Sequence, residues 1–149
     1  MAITNETRAL VSSEEEQKIS RSMMIWINQY PSLPVSIVDF EQLRVDTCMA
    51  LSTIQATAIV QRYITGGHRG EYQFKIIYRV LPGISNDARL KADEVLNAIG
   101  DWAVNNLPSL GENLRVIKVE PTTRSSLFMI YENGSEDHQI LMRMIYEVI

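Results

Sequence analysis

From Ala56 to Leu81 the chain reads ATAIVQRYI, TGGHRGE, YQFKIIYRVL, two extended segments around a glycine-rich turn. In the second, Tyr72, Phe74, Ile76, Tyr78 and Val80 stand at alternate positions, with Gln73, Lys75, Ile77 and Arg79 between them. A period of two sends these sets to opposite faces of a strand. Their aromatic and β-branched content suits a pleated, half-buried surface. Ile59, Gln61 and Tyr63 alternate with Val60, Arg62 and Ile64, and Gly66, Gly67 and Gly70 supply the positive φ angles that a reversal needs. The stretch predicts a long antiparallel hairpin, on which the remaining elements must pack.

A length of 149 residues suits one domain, with ~70% of its unfolded surface buried on folding. We read residues 1–12 as an N-terminal arm without periodicity and 13–149 as a single domain. Ser13 followed by Glu16 makes a capping box, and Ile19, Met23, Trp26, Ile27 and Tyr30 form the apolar stripe of a first helix ending at Pro31. Met24 and Ile25 lie off that stripe, so a second subunit is expected to cover them. Val35–Phe40 reads as a short strand, Glu41–Thr47 as polar and irregular, and Met49–Ala58 as extended chain.

Ser85 caps a second helix, whose stripe runs through Ala88, Ala92, Val95, Leu96, Ile99, Trp102 and Ala103 to about Asn106. Gly100 inside it would allow a close approach to a sheet. Asn113–Glu120 is a further strand, and Ser125–Tyr131 and Gln139–Val148 form a hairpin turning at Asn133-Gly134. Ile76, Tyr78, Met142 and Tyr146 are expected in the core beneath the second helix. The class is therefore α+β: a mostly antiparallel sheet built from two hairpins, with two amphipathic helices on one face. Its other face carries Ile77, Leu141 and Ile145 among charges such as Arg143, a mixed surface that marks an interface.

The formal charge of −4 and a pI near 5.2 argue against a nucleic-acid-binding surface over the whole molecule. Cys48 is the only cysteine, which excludes an internal disulfide and a multi-cysteine zinc site, and it lacks the basic neighbours of a reactive thiolate. No apolar run is long enough to cross a bilayer, and MAITNETRAL lacks the layout of a secretion signal, so a soluble intracellular protein is expected. The sequons at Asn5 and Asn133 then have no use.

His68 and His138 each adjoin an expected turn, and both read as solvated turn residues. Glu14-Glu15-Glu16 reads as a helix start and Glu136-Asp137 as a turn, neither as an acid/base pair. Gly67-His68-Arg69-Gly70 matches the GXXG of RNA-binding KH domains, but that loop joins helices and this one joins strands. There is no P-loop, GxGxxG, nucleophile elbow or HExxH. No catalytic residue, cofactor or metal is expected. The Thr65–Gly70 segment, with Gly66, Gly67, His68 and Arg69, is expected to meet a neighbouring protein.

From about Val35 onward the chain resembles the tail terminator (tail-completion, minor capsid) proteins of long-tailed bacteriophages. The resemblance lies in SIVDF, in CMALSTIQATAIVQRYITGGHRGEYQFKIIYRV with its Tyr63-Ile64-Thr65-Gly66 entry, and in VIKVEPTTRSSLFMIYENGSEDHQILMRMIYEV. In the last of these, an Asn-Gly turn precedes a strand carrying Gln139, Arg143 and Tyr146. The resemblance implies a non-enzymatic virion protein, made in the host cytoplasm. It would form a hexameric ring on the head-proximal end of the tail tube. Its partners would be further copies of itself, the tube protein and the head connector, with DNA passing through the lumen without specific binding and no membrane involved. The competing readings are another head–tail or tail-tube component, and a small-ligand module with a pocket lined by Tyr72, Tyr78 and Tyr146. An enzyme comes last.

Overall fold

In a computed structural model that describes residues 9–44 and 47–149, the chain forms two helices, the first followed by four strands and the second by three. They are α1 (Ser13–Ile27), β1 (Val38–Phe40), β2 (Cys48–Thr53), β3 (Ala58–Arg62), β4 (His68–Val80), α2 (Asn86–Asn105), β5 (Leu114–Pro121), β6 (Ser126–Ile130) and β7 (Glu136–Val148). All seven strands join one sheet in the order β1-β2-β4-β7-β5, with β3 also on β4 and β6 also on β7. β1 and β2 are parallel, and the other pairs are antiparallel. The fold is the expected α+β arrangement.

β4 and β7, thirteen residues each, pair without a break from His68–Val148 to Val80–Glu136 and form the centre of the sheet. β2 and β3 follow one another along the far edge of β4, and β5 and β6 along the far edge of β7. Both expected hairpins form, with tighter turns than their sequences suggest. The Tyr63 amide donates to the Gly67 carbonyl at 2.9 Å, so β4 already begins at His68. In the β6–β7 turn the Gly134 amide donates to the Tyr131 carbonyl, and Gly134 takes φ +89°, which a glycine adopts without strain. β7 then starts at Glu136, three positions before the expected Gln139.

Both helices cover the face formed by Tyr72, Phe74 and Ile76 of β4 and Ile140, Met142, Met144 and Tyr146 of β7, all buried. α1 contributes Ile19, Met23, Trp26 and Ile27 of its expected stripe, while Tyr30, the fifth member, lies past the helix end and packs half-buried against the core. Trp26 stacks on the half-buried Trp102 of α2 at 5.2 Å. A Cβ on Gly100 would stand 2.9 Å from the Ile140 methyl, so a small residue is what lets α2 sit this close to the sheet. Ile76 and Met142 are core as expected. Tyr146 is too, but under α1, while Tyr78 is only half-buried.

Ser12, not Ser13, is the N-cap of α1, accepting from the Glu15 amide at 3.1 Å. The described part of the N-terminal arm is held beside β3: Leu10 bridges Ala58, and the Ile59 amide donates to the Ala9 carbonyl at 2.8 Å. The rest of the arm, with its sequon at Asn5, lies outside the described residues, as do Val45 and Asp46 of the polar stretch.

Candidate assembly surfaces

The β3–β4 turn presents less than its sequence suggests. Ile64, Thr65 and Gly66 project into solvent, with Ile64 fully exposed. His68 and Arg69 instead belong to β4, which corrects the reading of His68 as a solvated turn residue. The His68 Nε2 lies 2.9 Å from a Glu15 carboxylate oxygen that also accepts from the Tyr146 hydroxyl at 2.6 Å. Arg69 stands opposite Glu147 in the strand register, and the Glu147 carboxylate accepts from the Tyr63 hydroxyl at 2.8 Å and from Arg115. These bonds hold the Glu147 carboxyl below the usual range, the Tyr63 bond contributing most. Of the candidate loop, then, the tip is available to a partner, and His68 anchors its base.

The helix-free face of the sheet is knitted by charge. Arg143 is bonded to Glu120, and Ile145 is buried and Leu141 half-buried between the charged rows. Lys75 sits 5.3 Å above the ring of Phe128. Of the three interface candidates here, Leu141 and Arg143 keep partial exposure.

Glu136, Asp137 and His138 are not in a turn, and His138 is not solvated: all three are buried in β7. Most polar partners of this segment come from distant chain, with Tyr131 of its own hairpin added. Arg79 donates to both Asp137 oxygens at 2.7 and 2.9 Å, and the Tyr131 hydroxyl donates to Asp137 at 2.7 Å. That Asp137 bond, first among the causes, drives the Arg79 guanidinium further from deprotonation. Arg89 of α2 donates to Glu136 at 2.8 Å. Asp93 of α2 accepts from the Ser125 hydroxyl at 2.7 Å and lies 2.9 Å from the His138 Nδ1. The carboxylate here stands between hydroxyl and imidazole. Nucleophilic catalysis needs the imidazole in the middle, where it can take the serine proton. This cluster clamps α2 and the β6 hairpin to β7.

Cys48 is buried, its thiol pushed up by burial and held against the Arg44 backbone. Tyr72 and Tyr146 are fully buried in the core. Their hydroxyls are spent on Ser20 and Glu15, and burial pushes the Tyr72 phenol up to about 12. Among the described residues, no group of three or more His, Cys, Asp or Glu is placed to hold a metal ion, and no helix is long and apolar enough to cross a membrane.

Met24 and Ile25 prove to be half of a larger feature. With Arg21 and Ser20 of α1, and with Phe40 of β1, they line a groove of about 780 Å³ along one edge of the sheet. Ile37 continues it. At the opposite edge, Leu127, Phe128, Met129 and Ile130 of β6 are all exposed, a surface missed at the sequence level although the strand was expected. Its signal was there: four consecutive apolar residues break the period of two that a strand with one buried face should show.

No family model matches the chain, and no curated protein matches it. Among solved structures, a chain described as "Virion of native gene transfer agent (GTA) particle" superposes with a TM-score of 0.59 at 14% identity, over 87% of this chain and 97% of its own. A second solved chain, 17% identical over 93% of this chain and 96% of its own, reaches a TM-score of only 0.43 and carries no argument. The chain shares its fold with a component of a virion.

Proposed function

We propose that this protein is a non-enzymatic structural component of a virion that caps the head-proximal end of a phage tail tube. It would stop tube growth there and form the joint to the head connector. The observation that carries the reading is the fold shared, over nearly the whole of both chains, with a component of a gene transfer agent virion. The phage tail terminator resemblance of the sequence adds the finer role.

The molecule has surfaces suited to that work. β4 and β7 span ~43 Å at about 3.3 Å per residue. Exposed Ile64 stands at one end, and exposed Leu81 and Ile84 at the other. A ring subunit standing between tube and connector needs such a pair of ends, and the lateral edges described above would meet its neighbours in a hexamer. The net charge of −4, multiplied around a ring, would keep a lumen from gripping DNA that slides through it.

The test is genetic and visual. Deleting the gene from its particle should give tubes of uncontrolled length that do not join heads. Tails of normal length that still join heads would overturn the assignment. Tails of normal length that fail to join heads would move the protein to another part of the joint.

A further inference from the structure

We infer that one copy of this chain docks its β6 edge into the α1–β1 groove of the next copy, head to tail. The groove and β6 stand at opposite edges of a single sheet. A contact between two different patches on opposite edges repeats from subunit to subunit, closing a ring or running on as a filament. It cannot stop at a symmetric dimer.

Three observations favour a second copy as the occupant. First, β6 is an edge strand with four exposed apolar side chains in a row and no charge within it, the pattern that soluble proteins avoid unless another chain covers it. The β1 and β3 edges, by contrast, are guarded. The Asn28 side chain bonds both the amide and the carbonyl of Val38 on β1, and residues 9–11 run along β3. β1 is thus closed to strand addition, and the groove beside it is left to receive side chains.

Second, the groove offers what those side chains need. Ile25, 65% exposed, and Phe40 give it an apolar wall. Third, the charges match. Arg21 lines the groove and Glu132 follows β6 in the hairpin turn; both are exposed, and neither makes an ion pair among the described residues. Seating Ile130 in the groove brings the Glu132 carboxylate toward the Arg21 guanidinium.

This contact deepens the ring proposed above and rests on that reading for its closure, though the pairing of surfaces does not. The test uses the full-length purified protein with Ile25→Cys and Phe128→Cys, joined by a short bifunctional maleimide; the native Cys48 is buried. The double variant should give a series of covalent multimers, each single variant should stay monomeric, and a mixture of the two singles should stop at dimers. Arg21→Glu or Glu132→Arg alone should cut the yield about tenfold by setting like charges together, and the two combined should restore it. Multimers from a single-cysteine variant, yields indifferent to charge reversal, or no product up to ~1 mM protein would each overturn the contact. Tail-length defects on gene deletion without these cross-links would keep the terminator reading and discard the contact. Cross-links in a protein whose deletion leaves tails normal would do the reverse.

Discussion

Gly70 and Tyr146 face each other across the central strand pair, and the Tyr146 ring occupies the space where a side chain on Gly70 would begin. A Cβ there would stand 2.5 Å from the ring's hydroxyl end. The ring cannot swing aside cheaply, because it is fully buried and its hydroxyl is fixed on Glu15. Gly70→Ala should therefore destabilise the fold by about 1–3 kcal/mol through overpacking. Urea unfolding measures it, and a change within a few tenths of a kcal/mol would show that the ring is free to move.

Asn28 acts as a two-pronged plug on β1. Its amide nitrogen donates to the Val38 carbonyl at 3.2 Å, and its oxygen accepts from the Val38 amide at 2.8 Å. Asn28→Ala leaves both backbone groups without these partners and should lower stability by about 1–3 kcal/mol. It also frees an edge, so concentration-dependent aggregation should rise, as followed by light scattering.

The buried Asp137 depends on Arg79. Arg79→Met strands a carboxylate away from water and should destabilise by about 3–5 kcal/mol. Adding Asp137→Leu to that variant should recover much of the loss, since the uncompensated charge is then gone. If the double variant is no more stable than the single one, the guanidinium matters mainly through its 2.8 Å bond to the Arg44 carbonyl or its packing over Tyr131.

Acid should weaken the fold through three carboxylates held below their ordinary value of 4.5. For Glu41, burial acts the other way but is outweighed by bonds from the Thr53 amide and the Ser52 and Thr53 hydroxyls; for Glu120, the bond from Arg143 dominates; for Glu147, the one from Tyr63. A carboxyl with a depressed folded pKa stabilises above its unfolded value, and that stability is lost as pH falls through the folded one. The melting temperature should be flat near neutrality and fall below about pH 4.5. Replacing all three with glutamine should flatten that fall, and an unchanged acid slope would assign it to other groups.

What the sequence made legible is what local periodicity encodes: the alternation of β4 and β7, the α2 stripe with its Ser85 cap, and the Asn133-Gly134 turn. Its errors share a physical cause. Two adjacent serines followed by three glutamates leave the α1 cap ambiguous by one position. The choice is made elsewhere, because Glu15 must reach His68 and Tyr146 while Glu16 takes the Thr57 amide. Glu136, Asp137 and His138 look like turn residues because the partners that allow their burial lie on α2 and β4 and announce nothing locally. The groove was half legible: Met24 and Ile25 stood out as off-stripe, but the parallel β1–β2 pairing that brings Phe40 beside them is a tertiary choice.

The long register between β4 and β7 also governs how the molecule can come together in time. Arg79 and Asp137 stand opposite each other although 58 residues apart in the chain, and Tyr146 closes on Glu15 across 131. The centre of the sheet is thus built from remote pieces, and the entropy of those closures falls due before the core rewards it. Neither central strand has its main partner until the other arrives, so folding should be slower than in a domain built from local contacts. While it waits, β6 and the bare strands are open to the wrong neighbour. The same exposed edge that we propose docks onto a neighbouring copy makes the unfinished form the stage most vulnerable to aggregation.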